Sequence, residues 1–525
     1  MKSGIKIYSL LILFSVLLFC NSCSSDISKN SQPVNRKPRI EPDYIDVTIP
    51  PNIAPMNFSV AENGSSYTII ASSGSANNQI KINSSDGIIK FPEKAWKKLL
   101  EGSIGDTLKI KVFVSQKGNE KSEEYDSFYM AVSADKIDPY LVYRLIHPGY
   151  YSWSNIRIMQ RSVESFYEAS IIENQIMDKN CANCHSFNNN SPDRFMIHIR
   201  GSLGGTYFVE DGKITRTDPK IDAMPGTATY PSWHPGGRFM AYSSNQVRQS
   251  FYSQPGKYIE VFDLVSSLIL YNRKNNEIIT ITDSDTTNYL QTFPSWSPDG
   301  KYLYFCRALQ VINNAYPELE QIENTHYDIA RKSFDTVTRT FGDTEVIFNA
   351  SGIKKSASFP RISPDGKYMV FTLHDYGTFP IWHREADLYL LDMQSGIAEK
   401  MIINSDKTES YHTWSVNGRW LVFSSKRMDG RSARPHFAHI DSSGKQGKEF
   451  VLPQEDPTLY NRMLESFNIP EFVTGRIKMT PRDFAEASKQ TAIKAKPGNE
   501  FDAAKETKGK KTESPVKVTD RSIHE

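Results

Sequence analysis

One sequence pattern returns four times in the middle of the chain and constrains its fold more than any other feature. Each copy begins with an aromatic residue and ends in a turn of the Ser-Pro-Asp-Gly kind, and an apolar run follows it. In such a turn proline fixes φ and glycine takes a positive φ, so that each copy joins two strands. The copies are Tyr230–Gly237, Phe293–Gly300, Phe359–Gly366 and Tyr411–Gly418.

These four copies resemble the TolB-type β-propeller repeat, also known as the WD40-like or PD40 repeat. The resemblance implies a mainly β, TolB-like propeller, for which six blades are favoured and seven are the alternative. The copies are 63, 66 and 52 residues apart, which exceeds the usual blade length and indicates loop insertions. The missing blades are expected from Phe195–Ile214, and from strands near 140–160 that pair with Phe467–Val473.

The remaining chain divides by composition and by hydrophobic pattern. Residues 24–42 are polar and predict a flexible linker. Residues 43–135 predict a small immunoglobulin-like β-sandwich with one short helix, because strand-like runs alternate with turn signals. The propeller is assigned to residues 136–473, which include a haem-attachment segment at 162–200. Residues 474–525 are Lys-rich and predict a disordered tail.

A second sequence feature, a pair of cysteines followed by a histidine, indicates a specific chemistry. Cys181, Cys184 and His185 form the pattern C-x-x-C-H, in which two thiols attach a c-type haem covalently and the histidine binds its iron. A disulfide, half of a zinc site and a redox dithiol stay open as alternatives. Zinc would need two more ligands at suitable spacing, and a thioredoxin-like dithiol would need a βαβ context. Apolar spacing within Ser162–Lys179 predicts a helix leading into a short helical haem segment.

The second axial ligand of such an iron is expected in the run that follows. His198 is the first candidate and Met196 the second, because strand alternation places both on one face. A remote ligand or an open position is the alternative. Two strong ligands favour electron transfer, whereas an open position admits a small gas or peroxide. Arg200 on the same face is a candidate partner for a haem propionate.

The N-terminus predicts the compartment. Two lysines precede the apolar run Ile7–Phe19, which is too short to cross a bilayer comfortably and has the form of a secretory signal. A small residue before Cys23 resembles a lipobox, so residues 1–23 predict a lipoprotein signal peptide with lipidation at Cys23. Cys20 suits lipidation less, because a bulky phenylalanine precedes it. A plain signal peptide is the alternative. The expected location is the cell envelope, anchored by lipid to the outer membrane.

Composition and motifs leave two main hypotheses for function. A net charge of +2 gives no electrostatic case for a nucleic-acid partner. The first hypothesis is an envelope lipoprotein with haem c that transfers single electrons or senses redox state through an unidentified envelope partner. The second is a non-catalytic propeller that binds a protein or a glycan. Enzymatic activity stays uncertain, because the sequence contains no Gly-x-Ser-x-Gly, Walker or His-Glu-x-x-His motif.

Overall fold

The computed structural model describes part of the chain. The described residues are 30–498 without 75–77, 120, 148–153, 223, 255–256, 282–287 and 315, and the side chains of 252–258 are left out as well. The predicted signal peptide and the lipidation site at Cys23 therefore lie outside the described residues. No helix in the described part of the chain has the length and apolar character needed to cross a membrane.

The first part of the chain forms two sheets and a helix around one core. The larger sheet contains β1, β3, β5, β6, β8, β9 and β10, and the smaller contains β2, β4 and β7. Helix α1 (Glu93–Glu101) confirms the short helix of the prediction and buries Trp96, Leu99 and Leu100. The strands are β1 (Ser31–Pro33), β2 (Ile40–Glu41), β3 (Val47–Ile49), β4 (Phe58–Val60), β5 (Ser66–Ser73), β6 (Gln79–Ser84), β7 (Ile88–Ile89), β8 (Thr107–Ser115), β9 (Ser122–Glu124) and β10 (Phe128–Val132).

The second part of the chain is a β-propeller built from six sheets. Its strands are β11 (Tyr140–Ile146), β12 (Arg157–Ser162), β13 (Glu168–Glu173), β14 (Cys181–Phe187), β15 (Arg194–Arg200), β16 (Gly205–Glu210), β17 (Lys213–Asp218), β18 (Ala228–Trp233), β19 (Phe239–Gln254), β20 (Lys257–Asn272), β21 (Glu277–Ile281), β22 (Tyr289–Trp296), β23 (Tyr302–Leu309), β24 (Tyr327–Ser333), β25 (Glu345–Phe348), β26 (Ser356–Ile362), β27 (Tyr368–His374), β28 (Asp387–Asp392), β29 (Ala398–Lys400), β30 (Glu409–Trp414), β31 (Trp420–Ser425), β32 (Arg434–His439), β33 (Phe450–Val451), β34 (Ser466–Val473), β35 (Ile493–Lys494) and β36 (Lys496–Pro497). Two further helices are α2 (Leu319–Glu323) and α3 (Pro481–Ser488).

The six sheets surround a common axis. We number them in chain order: sheet 1 is β34-β11-β12-β13, sheet 2 is β14 to β17 with β35, sheet 3 is β18 to β21 with β36, and sheets 4, 5 and 6 are β22–β25, β26–β29 and β30–β33. The first strand named in each sheet is its inner strand. Each inner strand contacts the inner strands of its neighbours, so that β34, β14, β18, β22, β26 and β30 form a closed ring. The pairing of β11 with β34 confirms the predicted closure between the strand near 140 and the chain end.

Apolar layers between the sheets hold the propeller together. A further core joins the N-terminal sheets to sheets 1 and 6, where Trp420 and Phe467 pack in one cluster with residues of β8 and β10. The Trp420 indole N–H donates to the Asp135 carbonyl at 3.0 Å, and the Tyr44 hydroxyl donates to the Val451 carbonyl at 3.3 Å. The N-terminal unit therefore packs against the propeller through a shared, buried interface.

Three local predictions are wrong. The segment 162–179 is not helical, because Glu168–Glu173 pairs with β12 as a strand, and the predicted helical haem segment is strand β14. Within the predicted flexible linker 24–42, β1 and β2 pair with β9 and β4. The predicted disordered tail 474–525 is ordered up to residue 498, since α3 packs on sheets 1 and 2 and β35 and β36 extend sheets 2 and 3.

Candidate functional site

The inner strands share an unusual backbone feature at the axis of the propeller. Five of them place a bulky residue in the left-handed region, with φ between 45° and 56°, and each of these residues lies at a bulge in the pairing. A positive φ is strained for bulky side chains and persists where the surroundings enforce it. These residues turn towards the axis and line its narrow part, which has a volume of about 50 Å³. They are Tyr230, Phe293, Phe359, Tyr411 and Ile469.

Cys184 takes the sixth place in this ring, on inner strand β14. The order of residue types in β14, Asn-Cys-His-Ser-Phe, follows that of Ser410–Trp414 in sheet 6, Ser-Tyr-His-Thr-Trp. Hydrogen bonding agrees with this equivalence. The Trp233 indole donates to the Ser186 carbonyl at 3.1 Å, as the Trp414 indole donates to the Arg361 carbonyl at 3.1 Å. The C-x-x-C-H pentapeptide therefore includes one copy of the inner-strand repeat.

Strand pairing decides on which face each group of the motif lies. Cys181 pairs with Arg200 and Cys184 with His198, and the bulge at Asn183 between them keeps both cysteines on one face. His185 follows Cys184 directly and pairs with Ile197, so its side chain lies on the opposite face. The two cysteines thus face sheet 3 and the imidazole faces sheet 1.

His185 is fixed within this arrangement by a backbone contact. It is 3% exposed, and its Nε2–H donates to the Ile469 carbonyl of sheet 1 at 2.9 Å. Its Nδ1 is buried without a hydrogen-bond partner among the described residues. Burial, together with the nearby charge of Arg144, lowers the pKa of His185 to about 3. The imidazole is therefore neutral at ordinary pH.

The predicted second ligands lie on the other side of sheet 2. His198 is buried, and its Nδ1 is 3.1 Å from the Thr206 hydroxyl. Burial lowers the pKa of His198 to about 3. Met196 is buried in the core cluster between sheets 2 and 3, which also contains Trp233. Met196 and His198 lie on one face of sheet 2 together with Cys184, as strand alternation predicts. His185 lies on the opposite face, so neither candidate ligand is near it.

These positions bear on whether the motif fits a haem. A c-type haem needs both sulfurs and the ligating imidazole nitrogen to converge on one macrocycle. Here the thiols and the imidazole are on opposite faces, and Nε2 is hydrogen-bonded to the protein. The residues therefore do not fit a haem while β14 stays in sheet 2, and haem binding by Cys181, Cys184 and His185 stays a prediction.

The alternatives for the cysteines can be compared with the same geometry. Cys181 and Cys184 are free thiols, so the structure contains no disulfide between them. Burial raises the pKa of Cys181, which disfavours a reactive thiolate. Among the described residues, no group of three His, Cys, Asp or Glu side chains is placed to hold a metal ion.

The axis widens into a second cavity of about 390 Å³ at the end where the Ser-Pro-Asp-Gly turns lie. We call it the mouth cavity. Its walls carry hydroxyl groups from four inner strands, namely Ser186, Ser232, Ser295 and Thr413. Aromatic side chains shape the wall behind them, namely Phe187, Trp233, Trp296, Trp414 and Phe472. Such a mixture of apolar surface and a few converging polar groups is typical of small-molecule sites.

Two ionisable side chains lie between the mouth cavity and the narrow part of the axis. Arg361 of sheet 5 and Glu471 of sheet 1 line both spaces. No hydrogen bond or ion pair joins the Arg361 guanidinium to any described residue. Burial raises the pKa of Glu471 to about 8, although Arg361 and the Phe187 N–H act in the opposite direction. Glu471 is therefore mainly protonated at neutral pH.

The opposite end of the axis is covered by protein. Phe379 contacts the rings of Tyr230 and Phe293, with centroids 6.2 Å apart in both pairs. The long β19–β20 hairpin packs on the same segment through Ile259 and Val261. The buried His383 connects the two parts, because its Nε2 is 3.4 Å from Glu260 of the hairpin and its Nδ1 is 2.9 Å from Glu385. The mouth cavity therefore has its opening on the turn side.

Arg361 and Glu471 were not among the residues that the sequence singled out. A signal for them exists in the repeat itself. At the position after proline or histidine, four strands carry a serine or threonine, whereas sheets 5 and 1 carry arginine and glutamate. An arginine and a glutamate that replace small hydroxyl residues at one repeat position indicate that the two side chains lie near each other at the axis, once the repeats are aligned.

Comparisons with known proteins add little about function. No protein-family model and no curated protein matches the sequence. Similar solved structures include the nidogen/laminin complex, with 9% identity, TM-score 0.35, and coverage of 59% of this chain and 92% of that chain. Oligogalacturonate lyase from Vibrio parahaemolyticus has 10% identity, TM-score 0.32, and coverage of 58% and 92%. The Dos1 propeller has 14% identity, TM-score 0.30, and coverage of 53% and 66%. At such identities and TM-scores, the activities of these proteins say nothing about this chain.

Proposed function

We propose that this chain is a non-catalytic binding protein whose propeller holds a compact ligand in the mouth cavity. The observation that carries the proposal is the Arg361 guanidinium, which lines this cavity and has no hydrogen-bonding partner among the described residues. A partly buried cation without a partner is costly, and a ligand that pairs with it recovers that cost.

The size and chemistry of the cavity support the same proposal. Its volume of about 390 Å³ lies within the range of small-molecule sites. The hydroxyl groups of Ser232 and Ser295 can donate to a ligand from two sides, and the Thr413 hydroxyl, which donates to the Pro470 carbonyl, can accept from a third. The hydroxyl groups and the aromatic wall together suit the binding of a small ligand.

Electron transfer or redox sensing through a covalent haem c is the second candidate function. It rests on the free thiols of Cys181 and Cys184, which share one face of β14, and on the unpartnered Nδ1 of His185. It requires β14 to leave sheet 2, because only then do thiols and imidazole converge. The binding proposal requires no such change.

The place of action is proposed from the sequence alone. A lipid on Cys23 would anchor the protein to the outer membrane, on its periplasmic or outer side, where an envelope protein or a glycan is the expected partner. Residues 1–23 lie outside the described residues, so this proposal depends on the lipobox pattern.

Tryptophan fluorescence tests the binding proposal, since Trp233, Trp296 and Trp414 line the mouth cavity. The full chain is titrated with a panel of monosaccharides, disaccharides and short peptides. We expect saturable fluorescence changes for part of the panel, and a loss of affinity of at least about tenfold in Val416→Trp, which narrows the rim.

The matched control is Val337→Trp, because this valine is 87% exposed and lies away from the mouth cavity. It should bind as the unmodified chain does. A panel without saturable binding, or binding that Val416→Trp leaves unchanged, would contradict the mouth cavity as the ligand site.

A further inference from the structure

We propose that the mouth cavity selects a compact carboxylate, of the size of an acidic monosaccharide, whose negative group pairs with Arg361. This inference rests on the proposed binding function and adds the chemical class of the ligand. Among the residues that line the two axial spaces, Arg361 is the side chain that carries a positive charge at neutral pH. A guanidinium pairs with a carboxylate through two parallel hydrogen bonds.

Apart from Glu471, which interacts electrostatically with Arg361, the ionisable groups at the axis carry no negative charge. His185 of sheet 2 and His412 of sheet 6 are neutral, since burial lowers the pKa of both to about 3. Tyr230 of sheet 3 is neutral as well, because burial raises its pKa well above the usual value. Sheet 4 contributes Phe293, Ser295 and Trp296, which carry no charge.

Glu471 of sheet 1 contributes to ligand binding in another way, as a neutral hydrogen-bonding group. No ion pair forms between its carboxyl group and Arg361 within 4 Å in the described structure. In its protonated form the carboxyl group offers one hydrogen-bond donor and one acceptor oxygen. A protonated Glu471 beside Arg361 therefore suits a ligand that brings one negative charge and a further oxygen acceptor.

The depth of the cavity limits the ligand to a compact one. The ring of Tyr230, Phe293, Phe359, Tyr411 and Ile469 leaves about 50 Å³ below Arg361. Phe379 covers the far end of the axis. A long chain cannot thread through the propeller, so the charged end of the ligand lies at the floor of the mouth cavity and the remainder lies among the hydroxyl groups.

The first experiment compares two probes of nearly equal size. Glucuronate and glucose are titrated into the full chain at pH 6.5, with tryptophan fluorescence as the readout. We expect glucuronate to bind at least about tenfold more tightly, because a charge-assisted hydrogen bond is stronger than one between neutral groups. Arg361→Gln should reduce its affinity to that of glucose. Arg331→Gln is the matched control, since this arginine pairs with Glu345 on an outer strand, away from the axis.

The second experiment uses pH to test the part of Glu471. Above its pKa of about 8 the side chain gains a negative charge beside the bound carboxylate. Glucuronate affinity should therefore fall between pH 6.5 and pH 9 in the unmodified chain. Glu471→Gln keeps a hydrogen-bond donor and cannot ionise, so it should bind glucuronate equally well at both pH values.

The outcomes separate this inference from the proposed function. Equal affinity for glucose and glucuronate, with both weakened by Val416→Trp, overturns the carboxylate class and leaves the binding function standing. Glucuronate affinity that Arg361→Gln leaves unchanged overturns the assignment of Arg361. If neither probe binds, the inference is overturned, and the panel of sugars and peptides decides on the binding function.

Discussion

His383 is the clearest case of a single residue whose charge affects the fold. It is 3% exposed, and it lies between Glu260, which is fully buried, and Glu385. Burial alone would lower its pKa, but the hydrogen bonds with the two carboxylates outweigh burial and raise the pKa of His383 to about 9. The protonated imidazole therefore connects the β19–β20 hairpin to the segment that covers the axis.

We expect His383→Gln to lower the free energy of unfolding by about 3–5 kcal/mol at pH 6, because it breaks a buried, charged hydrogen bond between the imidazole and Glu260. The folded pKa lies above the unfolded value of about 6.5. The stabilisation by His383 is therefore complete below pH 6.5 and is lost as the pH rises through 9. Urea unfolding at pH 6 and pH 10 measures this difference.

His439→Gln is the control for this prediction. Its imidazole is 2.8 Å from Asp135, but it is 15% exposed and its partner is 39% exposed, so the loss should stay near 1 kcal/mol. A loss in His383→Gln that is equally large at pH 6 and pH 10 would mean that packing, and not the charged bridge, is responsible.

At the scale of elements, each copy of the repeated turn joins the inner strand of one sheet to the next strand of that sheet. Gly300 and Gly366 occupy equivalent places in two of these turns, with φ of 72° and 74°. A Cβ at Gly366 would meet nothing within 4 Å, whereas a Cβ at Gly300 would overlap Nε2 of His234. The two glycines therefore share the same backbone conformation but differ in their surroundings.

This difference gives a matched pair of substitutions. Gly366→Ala should cost about 1–2 kcal/mol of unfolding free energy, because alanine tolerates the left-handed conformation poorly. Gly300→Ala should cost about 1–3 kcal/mol more, since the buried His234 ring has to move as well. Thermal or urea unfolding of both variants measures the costs. Equal losses of unfolding free energy in the two variants would show that the contact with His234 does not destabilise Gly300→Ala.

The same elements show what the sequence predicts and what it does not. The turns are local in the chain, so the four copies predict sheets 3 to 6 and the strands that follow them. Residues 162–179 have helical apolar spacing, yet Ile171 and Ile172 are both buried in a strand of sheet 1. Strands β1, β35 and β36 are short and polar, and they pair with residues distant in sequence, which no local pattern reveals. Arg361 and Glu471 meet only because the ring closes.

At the scale of the whole molecule, ring closure restricts what β14 can do. Its neighbours β34 and β18 contact it from both sides, and the Ile469 carbonyl and Trp233 indole are hydrogen-bonded to it. Removing β14 from the ring would break these contacts and expose the apolar layers of sheets 1, 2 and 3. A covalent haem on the motif and an intact ring thus exclude each other in this fold.

A haem stain on a denaturing gel therefore tests the whole arrangement, with the full chain expressed beside a c-type haem maturation system. If β14 is an inner strand, the band is colourless, and Cys181→Ser melts within a few degrees of the unmodified chain. Cys306→Ser is the control, since this buried thiol lies in sheet 4, far from the motif. A stained band that Cys181→Ser weakens would contradict the ring and would restore electron transfer as the function, because both thioethers and the His185 ligand could form only on a strand outside sheet 2.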